Sequence, residues 1–469
     1  MDIAAATRRI DETWRDSAQP ALEAYVRIPN KSPLFDAAWQ ANGHMKRAAS
    51  LLLEWARARP LKGFRVELLE LPGRTPVLLA EIEGSAPGTV LLYGHFDKQP
   101  EFTGWHEGLD PWTPVVRDGR LYGRGGADDG YAVFSSLLAL EALQAQGIPH
   151  ARCLVLIEGS EESGSVDLPA YVEHLGGRLG TPDLVICLDA ECGDYDRLWL
   201  TTSLRGTLVG TLFVEMRTEG VHSGMASGIA ASPFRIVRGL LDRLENVHSG
   251  DIMLEDLYVK TPPGRVAEAR AAAAVLGATV AGKIPFVSGA RAMSTDPTEL
   301  LLNSTWKPAM TVTGADGLPA LANAGNVLLP KVAVKLSMRL PPTLPAAQAA
   351  LRVRDVLEAQ PPYGARVKFE GGALGGWHAE PLAPWLAAAV EDGSKSFFGQ
   401  GALAMGTGGS IPFIGMLAER YPGTQFLVTG VLGPGSNAHG PNEFLDLKTV
   451  RRVTGCVSAV LAAHAKRAG

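Results

Sequence analysis

The sequence predicts an α/β fold that combines a mainly parallel sheet with an inserted ferredoxin-like domain of βαββαβ order. Residues 1–205 alternate helical patterns with short apolar runs, which is typical of an α/β domain. From residue 206 the predicted order becomes strand, helix, strand, strand, helix, strand. Alternating helix and strand patterns resume after the glycine-rich stretch at 371–376. The predicted domains are 1–205 with 376–469, and an inserted domain at 206–375.

The first 205 residues contain two predicted helices, 36–58 and 131–146. Short runs rich in leucine and β-branched residues lie between and after them. Several of these runs are apolar on both faces, as the strands of a buried parallel sheet are. The predicted strands are 65–69, 77–83, 89–93, 153–158 and 184–188.

The inserted domain is predicted from a change in pattern after residue 206. Its strand at 331–339 alternates apolar and polar residues, so it has one core face and one polar face. Segment 251–302 interrupts the motif as an insertion. The other predicted strands here are 208–216, 307–313 and 365–370, with helices at 231–245 and 345–360; the C-terminal part adds helices at 384–397 and 447–466 and a strand at 425–428.

Composition excludes several classes of partner. The chain has 469 residues, of which 46% are apolar and 20% charged, and its net charge is −5. Without a surplus of Lys and Arg we expect neither nucleic acid nor an anionic membrane as a partner.

We expect no signal peptide and no membrane span, because the apolar runs are far shorter than the roughly 20 residues a span needs. Four cysteines without Cys-x-x-Cys spacing predict reduced thiols and a cytoplasmic location.

His95 and Asp97 directly follow the apolar run at 89–93. Alternation along an extended chain places both side chains on the same side. A carboxylate that orients a histidine is the usual support of a metal-binding imidazole. The alternative is a histidine hydrogen-bonded in the core.

Asp128 and Asp129 end a glycine-rich segment just before the helix predicted at 131. Helix capping is the alternative to a reactive role for these carboxylates. The preceding Gly123 and Gly125 are followed by Asp128 instead of a third glycine, so the dinucleotide-binding fingerprint is not met.

Further carboxylates follow the next predicted strands. Glu161 and Glu162 come after 153–158, and Asp189 comes after 184–188, at the strand ends where open α/β sheets bind ligands. Adjacent carboxylates repel each other unless they are solvated or neutralised. A metal ion that binds one of them and leaves the other free to accept a proton resolves the conflict, and an exposed acidic loop is the alternative.

A second histidine, His439, lies in a loop rich in glycine and proline. The candidate ligands share one property, since each stands at a strand end or in a loop. Imidazoles with several carboxylates suit zinc, manganese or cobalt, and a shared aspartate could bridge two ions. The candidate ligands are His95, Asp128, Glu162, Asp189 and His439.

These motifs, in this order and over nearly the whole chain, resemble those of the dinuclear-zinc metallopeptidases. That family includes carnosinase, Cys-Gly dipeptidase, glutamate carboxypeptidase, succinyl-diaminopimelate desuccinylase and the aminoacylases. A bacterial dipeptidase-like subgroup is the most similar. The matching residues are Gly94-His95-Phe96-Asp97, Trp112, Leu121-Tyr122-Gly123-Arg124-Gly125, Asp128-Asp129, Glu161-Glu162, Asp189, Gly408-Gly409-Ser410-Ile411-Pro412 and Asn437-Ala438-His439-Gly440.

The resemblance implies two divalent ions per subunit, zinc first, with manganese or cobalt as alternatives. One ion would be held by His95, Asp128 and Asp189, and the other by Asp128, Glu162 and His439, so that Asp128 bridges. Asp97 would steady His95, and Glu161 would be the general base that activates water.

The resemblance also implies a homodimer through the inserted domain. His222 in that domain is similar to the family histidine that stabilises the oxyanion in the neighbouring subunit. Arg339 and Asn326 are similar to substrate-contacting residues, with solvated polar groups as the alternative. Gly409 and Ser410 would offer backbone N–H groups to the substrate carboxylate, although Ser410 could instead cap the helix that follows.

The implied function is hydrolysis of the amide bond of dipeptides or similar small peptides, in the manner of a dipeptidase or carboxypeptidase. Thr407 stands where the dipeptidase branch often has Glu, so this chain departs from that branch in how it would handle the free amino end of the substrate. An N-acyl-amino-acid deacylase or desuccinylase is the alternative function. A serine hydrolase elbow, G-x-S-x-G, and an H-E-x-x-H helix are both missing from the sequence. An inactive metal-binding scaffold is a remote alternative, and the presence of Glu161 argues against it.

Overall fold

The computed structural model describes residues 1–467, which divide into two compact units. The first unit comprises Met1–Thr202, Ala379–Met405 and the described part of Met416–Gly469. The second comprises Ser203–His378 and Gly406–Gly415. Residues 406–415, which the sequence assigns to the C-terminal part of the first domain, cluster with the second unit instead. One reason is that the Ser410 hydroxyl donates a hydrogen bond to the carbonyl oxygen of Arg205 at 2.6 Å.

The strands in chain order are β1 Phe64–Leu69, β2 Val77–Ile82, β3 Ala86–His95, β4 Val115–Arg117, β5 Arg120–Tyr122, β6 Ala151–Glu158, β7 Leu184–Cys187, β8 Trp199–Leu204, β9 Gly206–Glu215, β10 Val221–His222, β11 Ala309–Asp316, β12 Val327–Leu328, β13 Lys331–Leu340, β14 Arg366–Leu374, β15 Trp377–His378, β16 Leu403–Thr407, β17 Gln425–Val428 and β18 Phe444–Asp446.

The α-helices are α1 Ile3–Thr13, α2 Gln19–Val26, α3 Trp39–Asn42, α4 His44–Arg57, α5 Ala132–Gln144, α6 Leu168–Leu175, α7 Ser223–Ala226, α8 Pro233–Leu241, α9 Pro263–Leu276, α10 Thr279–Gly282, α11 Pro297–Thr305, α12 Ala346–Glu358, α13 Pro384–Phe398, α14 Pro412–Arg420 and α15 Leu447–His464. None of the helices in residues 1–467 has both the length and the apolar character that crossing a membrane requires.

The first unit is built on a six-stranded sheet of order β1-β2-β6-β3-β7-β17. Strands β6, β3, β7 and β17 run parallel to one another, while β1 and β2 add an antiparallel edge next to β6. The predicted mainly parallel α/β sheet is therefore confirmed. Strands β2 and β7 are buried along their whole length, which explains why their sequences are apolar on both faces.

Helix α5 lies directly after the Asp128–Asp129 pair and is buried from Ala132 to Leu143. Such a helix is apolar all round because it packs on every side, here against β3, β6 and α15 among others.

The helix predicted at 36–58 is interrupted at Gly43, which separates α3 from α4. The φ of Gly43 is 70°, a left-handed conformation that glycine adopts without strain.

The second unit contains an antiparallel sheet of order β11-β13-β9-β14. Helix α8 packs against β9 and β13, and α12 packs against β9 and β14. The order β9, α8, β11, β13, α12, β14 is the predicted ferredoxin-like motif. The even-numbered residues of β13 are buried and the odd-numbered ones are more open, as the alternation predicts. Helices α9 and α10 lie within the predicted insertion, and α11 begins there.

Candidate metal centre

The candidate ligands of the first unit meet at the carboxyl edge of its parallel strands. His95 is the last residue of β3, and it pairs in register with Glu158 at the end of β6. Asp189 follows the end of β7, which is also parallel to β3. Parallel strands present their carboxyl ends at one edge, so these residues and the Glu161–Glu162 turn after β6 converge there.

Asp128 stands between the two candidate histidines. His95 Nε2 lies 3.3 Å from Asp128 Oδ1 and 3.8 Å from Asp189 Oδ2. His439 Nε2 lies 3.1 Å from Asp128 Oδ2 and 3.4 Å from Glu162 Oε2. One carboxylate oxygen of Asp128 thus faces each imidazole, and all five candidate ligands lie in one cluster.

The cluster fits divalent cations. Ligand atoms at about 2.0–2.2 Å from a tetrahedral ion lie roughly 3.3–3.6 Å apart, close to the separations found here. Glu162 Oε1 is buried and accepts no hydrogen bond from any described residue. Two overlapping groups have ligand atoms within 4.8 Å of one another: His95 with Glu161 and Asp189, and His95 with Asp128 and Glu162.

The electrostatics of the cluster also favour a cation. Burial raises the pKa of Glu162 to about 8, and the negative charge of Asp128 adds to the shift. Burial also raises the pKa of Asp189 to about 6, although the nearby His95 opposes it. Burial by itself lowers the pKa of His439. The hydrogen bond to the Asp128 carboxylate and the negative charges around the imidazole have the larger combined effect and raise that pKa to about 9. Protons therefore compensate the crowded carboxylates, and a divalent cation would replace those protons.

Asp97 supports two parts of the cluster. The hydrogen bond of His95 Nδ1 goes to the main-chain oxygen of Asp97 at 3.1 Å, and the Asp97 carboxylate lies 3.4 Å from the same nitrogen. The Asp97 carboxylate also accepts the backbone N–H groups of Glu161 and Glu162, each at 3.0 Å. Asp97 thereby holds the turn that carries both glutamates, a role that the local sequence pattern does not indicate.

The sequence does not predict the supporting roles of two further residues, Asp129 and Glu443. Asp129 Oδ2 accepts the backbone N–H of His95 at 3.2 Å. Glu443 is fully buried and accepts the backbone N–H of Asp128 at 3.3 Å. Asp129 is visible in the sequence only as a neighbour of Asp128, and nothing in the irregular loop around Glu443 indicates that its carboxylate is buried.

The remaining predicted site residues belong to the second unit. His222 is exposed, and its Nδ1 accepts the backbone N–H of Gly224 at 3.1 Å. Asn326 is exposed, and its main-chain carbonyl oxygen accepts the backbone N–H of Ser223 at 2.8 Å. These residues are neighbours at the pairing of β10 with β12.

Arg339 and Ser410 contact each other in the second unit. Arg339 is partly buried on β13, and its Nη1 donates to Ser410 Oγ at 3.4 Å. The Ser410 hydroxyl in turn donates to the Arg205 carbonyl. Helix α14 begins at Pro412, so Ser410 lies one residue before the N-cap position. The preceding Gly409 is partly buried, with nothing nearer than 3.8 Å to the position of a Cβ atom.

We expect Asp97→Asn to weaken Zn²⁺ binding by about 10- to 100-fold, as loss of an outer-sphere partner commonly does. Asn has a single acceptor oxygen, so one of the two glutamate N–H groups loses its partner. Competition with a chromophoric chelator measures the affinity. Asp118→Asn is the matched control, because Asp118 is exposed and its φ of 52° suits Asn. Equal Zn²⁺ affinity in both variants would contradict the role of Asp97.

Comparison with known proteins shows the family of the chain. The cysteinylglycine-S-conjugate dipeptidase of Corynebacterium striatum is 28% identical over 386 residues, 81% of each chain. The Beta-Ala-His dipeptidase of Mus musculus is 28% identical over 394 residues, 78% of this chain and 75% of the relative. The solved structure of the di-peptidase Dug1p from Saccharomyces cerevisiae has the same fold, with a TM-score of 0.79, 22% identity and 99% coverage of both chains. Residues 91–463 match the family model of Peptidase family M20/M25/M40, and the chain therefore belongs to that family.

Proposed function

We propose that this protein is a dinuclear metal-dependent dipeptidase. One observation carries the proposal: Asp128 presents one carboxylate oxygen to His95 and the other to His439. Such a shared carboxylate can bridge two ions. The relatives from Corynebacterium striatum and Mus musculus, both named dipeptidases, support the choice of substrate class.

The proposed ligands divide into two sets that share Asp128. His95, Asp128 and Asp189 hold one ion, and Asp128, Glu162 and His439 hold the other, in agreement with the separations of 3.1–3.8 Å within each set. Imidazole nitrogen with carboxylate oxygen suits zinc, and manganese or cobalt would also be accepted. Bound divalent ions supply Lewis acidity, which polarises the scissile carbonyl and makes water a stronger acid.

Glu161 is the proposed general base. Its carboxylate lies within 4.8 Å of ligand atoms of His95 and Asp189, on the first ion's side of the cluster. From there it accepts the proton of the attacking water and passes it to the leaving amine. The Asp97 carboxylate accepts the backbone N–H of Glu161 at 3.0 Å, which keeps the Glu161 carboxylate in place during both proton transfers.

The substrate is proposed to bind through its free carboxylate. Arg339 is a partly buried cation on the second unit, and its contact with Ser410 brings it to the Gly409–Ser410 turn. A guanidinium and backbone N–H groups are both suited to a carboxylate. Asn326 is the proposed further substrate contact.

His222 is proposed to stabilise the oxyanion of the partner subunit in a two-fold symmetric homodimer formed by the second unit. Its side chain is exposed, and it belongs to a different unit from every proposed metal ligand. The first unit then acts as the catalytic domain and the second as the dimerisation domain.

A substrate panel tests the proposed function against the deacylase alternative. We expect hydrolysis of an unmodified dipeptide, weak hydrolysis of the same dipeptide with an amidated C-terminus, and little hydrolysis of an N-acyl amino acid. A strong chelator should abolish the activity, and Zn²⁺, Mn²⁺ or Co²⁺ should restore it. Preference for the N-acyl amino acid would overturn the dipeptidase assignment, and full cleavage of the amidated peptide would overturn the carboxylate contact.

Glu161→Gln should lower kcat by about 10²- to 10⁴-fold, because Gln keeps the shape of Glu but cannot accept the proton of water. Elemental analysis should find two ions per subunit in both the variant and the wild type. Glu173→Gln, an exposed position on α6, is the matched control. Near wild-type turnover by Glu161→Gln would show that Glu161 is not the base.

Mixing two inactive variants tests the trans role of His222. In a mixed dimer of His222→Ala and Glu161→Gln, one site combines an intact Glu161 with an intact His222 of the other chain. Half of the dimers are mixed after random exchange and half of their sites are complete, so about a quarter of wild-type activity should return. Subunit exchange is verified with two affinity tags. Verified exchange without recovered activity would show that His222 does not act in trans.

A further inference from the structure

A buried ion pair joins two loops of the candidate metal centre. Arg124 Nη1 lies 2.8 Å from Glu443 Oε2, and the two side chains are 1% and 0% exposed. The aromatic rings of Phe102 and Trp105 lie 5.7 and 5.8 Å from the guanidinium carbon. A pair so well shielded from water is costly to separate, because either partner alone would be an uncompensated buried charge.

Glu443 fixes the backbone of the segment that leads to Asp128. Its Oε1 accepts N–H groups from Gly125 at 3.0 Å, from Ala127 at 3.1 Å and from Asp128 at 3.3 Å. Three amide donors on one carboxylate oxygen define where the segment lies. The position of the proposed bridging ligand therefore depends on Glu443.

Arg124 fixes the loop that carries His439. Its Nη2 donates to the carbonyl oxygen of Gly440, the residue that follows His439. Its Nε donates at 3.1 Å to the carbonyl oxygen of Pro100, in the segment that follows Asp97. The planar guanidinium thereby fixes the distance between the loop that follows β3 and the His439 loop, and its pairing with Glu443 ties both to the Asp128 segment.

The two proposed ions depend on this pair to different degrees. His95 and Asp189 are placed by β3 and β7, which are held in the sheet by backbone hydrogen bonds. His439 has no such support: it lies in an irregular loop, its φ is 64°, and its side chain is 58% exposed. The hydrogen bond from Arg124 to Gly440 joins this loop to the Asp128 segment right beside His439.

We infer that Arg124 and Glu443 are positioning residues that set the affinity of the ion held on the His439 side. This inference rests on the proposed two-ion function and deepens it. The pair acts through the backbone of Asp128 and Gly440 and does not itself bind metal. Its loss should weaken the ion on the His439 side more than the other, because that ion loses the fixed positions of both Asp128 and His439, whereas the other ion keeps His95 and Asp189.

The test is a titration of the metal-free protein with Zn²⁺, in competition with a chromophoric chelator. Wild type should bind two equivalents. Glu443→Gln removes the negative charge that accepts the three backbone N–H groups. We therefore expect one equivalent to weaken by about 10- to 100-fold and the other to weaken clearly less. In parallel, the Zn²⁺ concentration that gives half-maximal dipeptide hydrolysis should rise by the same factor.

Glu141→Gln is the matched control. Glu141 is likewise buried and paired with Arg9 and Arg59, but it lies on α5 about 14 Å from the start of the helix at 1.5 Å per residue. Its substitution should lower stability without changing either Zn²⁺ affinity. Arg124→Lys keeps the charge and loses the forked hydrogen bonds, so it tests the inference if Glu443→Gln does not fold, as judged by circular dichroism.

Each outcome decides between defined alternatives. Stronger weakening of one equivalent than of the other in Glu443→Gln or Arg124→Lys supports the inference. Equal weakening of both equivalents, or a titration identical to that of wild type, overturns it while leaving the two-ion function intact. Binding of a single equivalent by the wild type overturns the proposed two-ion function itself.

Discussion

Mutual repulsion among buried carboxylates is the constraint that organises the first unit. Asp128, Glu162 and Asp189 converge at one edge of the sheet, where little solvent screens their charges. Burial and mutual repulsion raise the pKa of Glu162 and Asp189, so these side chains can be fully ionised together only with a compensating cation. The imidazoles of His95 and His439 provide part of that charge, and divalent ions would provide the rest.

Other carboxylates around the cluster have a different task. Asp97 accepts two backbone N–H groups of the glutamate turn, and Glu443 accepts three from the segment leading to Asp128. A carboxylate that binds backbone amides holds a loop in one position without needing regular secondary structure. This arrangement explains how a centre built largely from loops can keep its ligand atoms within 3.1–3.8 Å of one another.

In the second unit, an antiparallel sheet and not a set of loops positions the cationic group. The sheet of β11, β13, β9 and β14 buries one face of β13 in an apolar core, which leaves Arg339 on the more open face. The bond from Arg339 to Ser410 then fixes the guanidinium beside a turn of residues 406–415. The cluster of carboxylates and the cationic group thus belong to separately folded units, each with its own core.

Local sequence patterns determine much of this protein. Apolar runs bounded by turns predict the buried strands, and clean alternation predicts which face of β13 is buried, because both patterns depend only on neighbours along the chain. The placement of His95, Glu162 and Asp189 after strands predicts that they meet at one edge of a parallel sheet. The break at Gly43 and the inclusion of residues 406–415 in the second unit are not predicted, since they depend on backbone conformation and on a long-range bond from Ser410 to Arg205.

The supporting shell is decided only by tertiary structure. Glu443 lies more than 300 residues after Arg124 and Asp128, and no local pattern distinguishes it from a solvated glutamate. Asp97 is visible in the sequence as a partner of His95, whereas its bonds to Glu161 and Glu162 arise because β3 and β6 are neighbours in the sheet. The sequence alone therefore determines the kinds of ligand and the strands that carry them, and tertiary packing decides which buried carboxylates hold the loops in place.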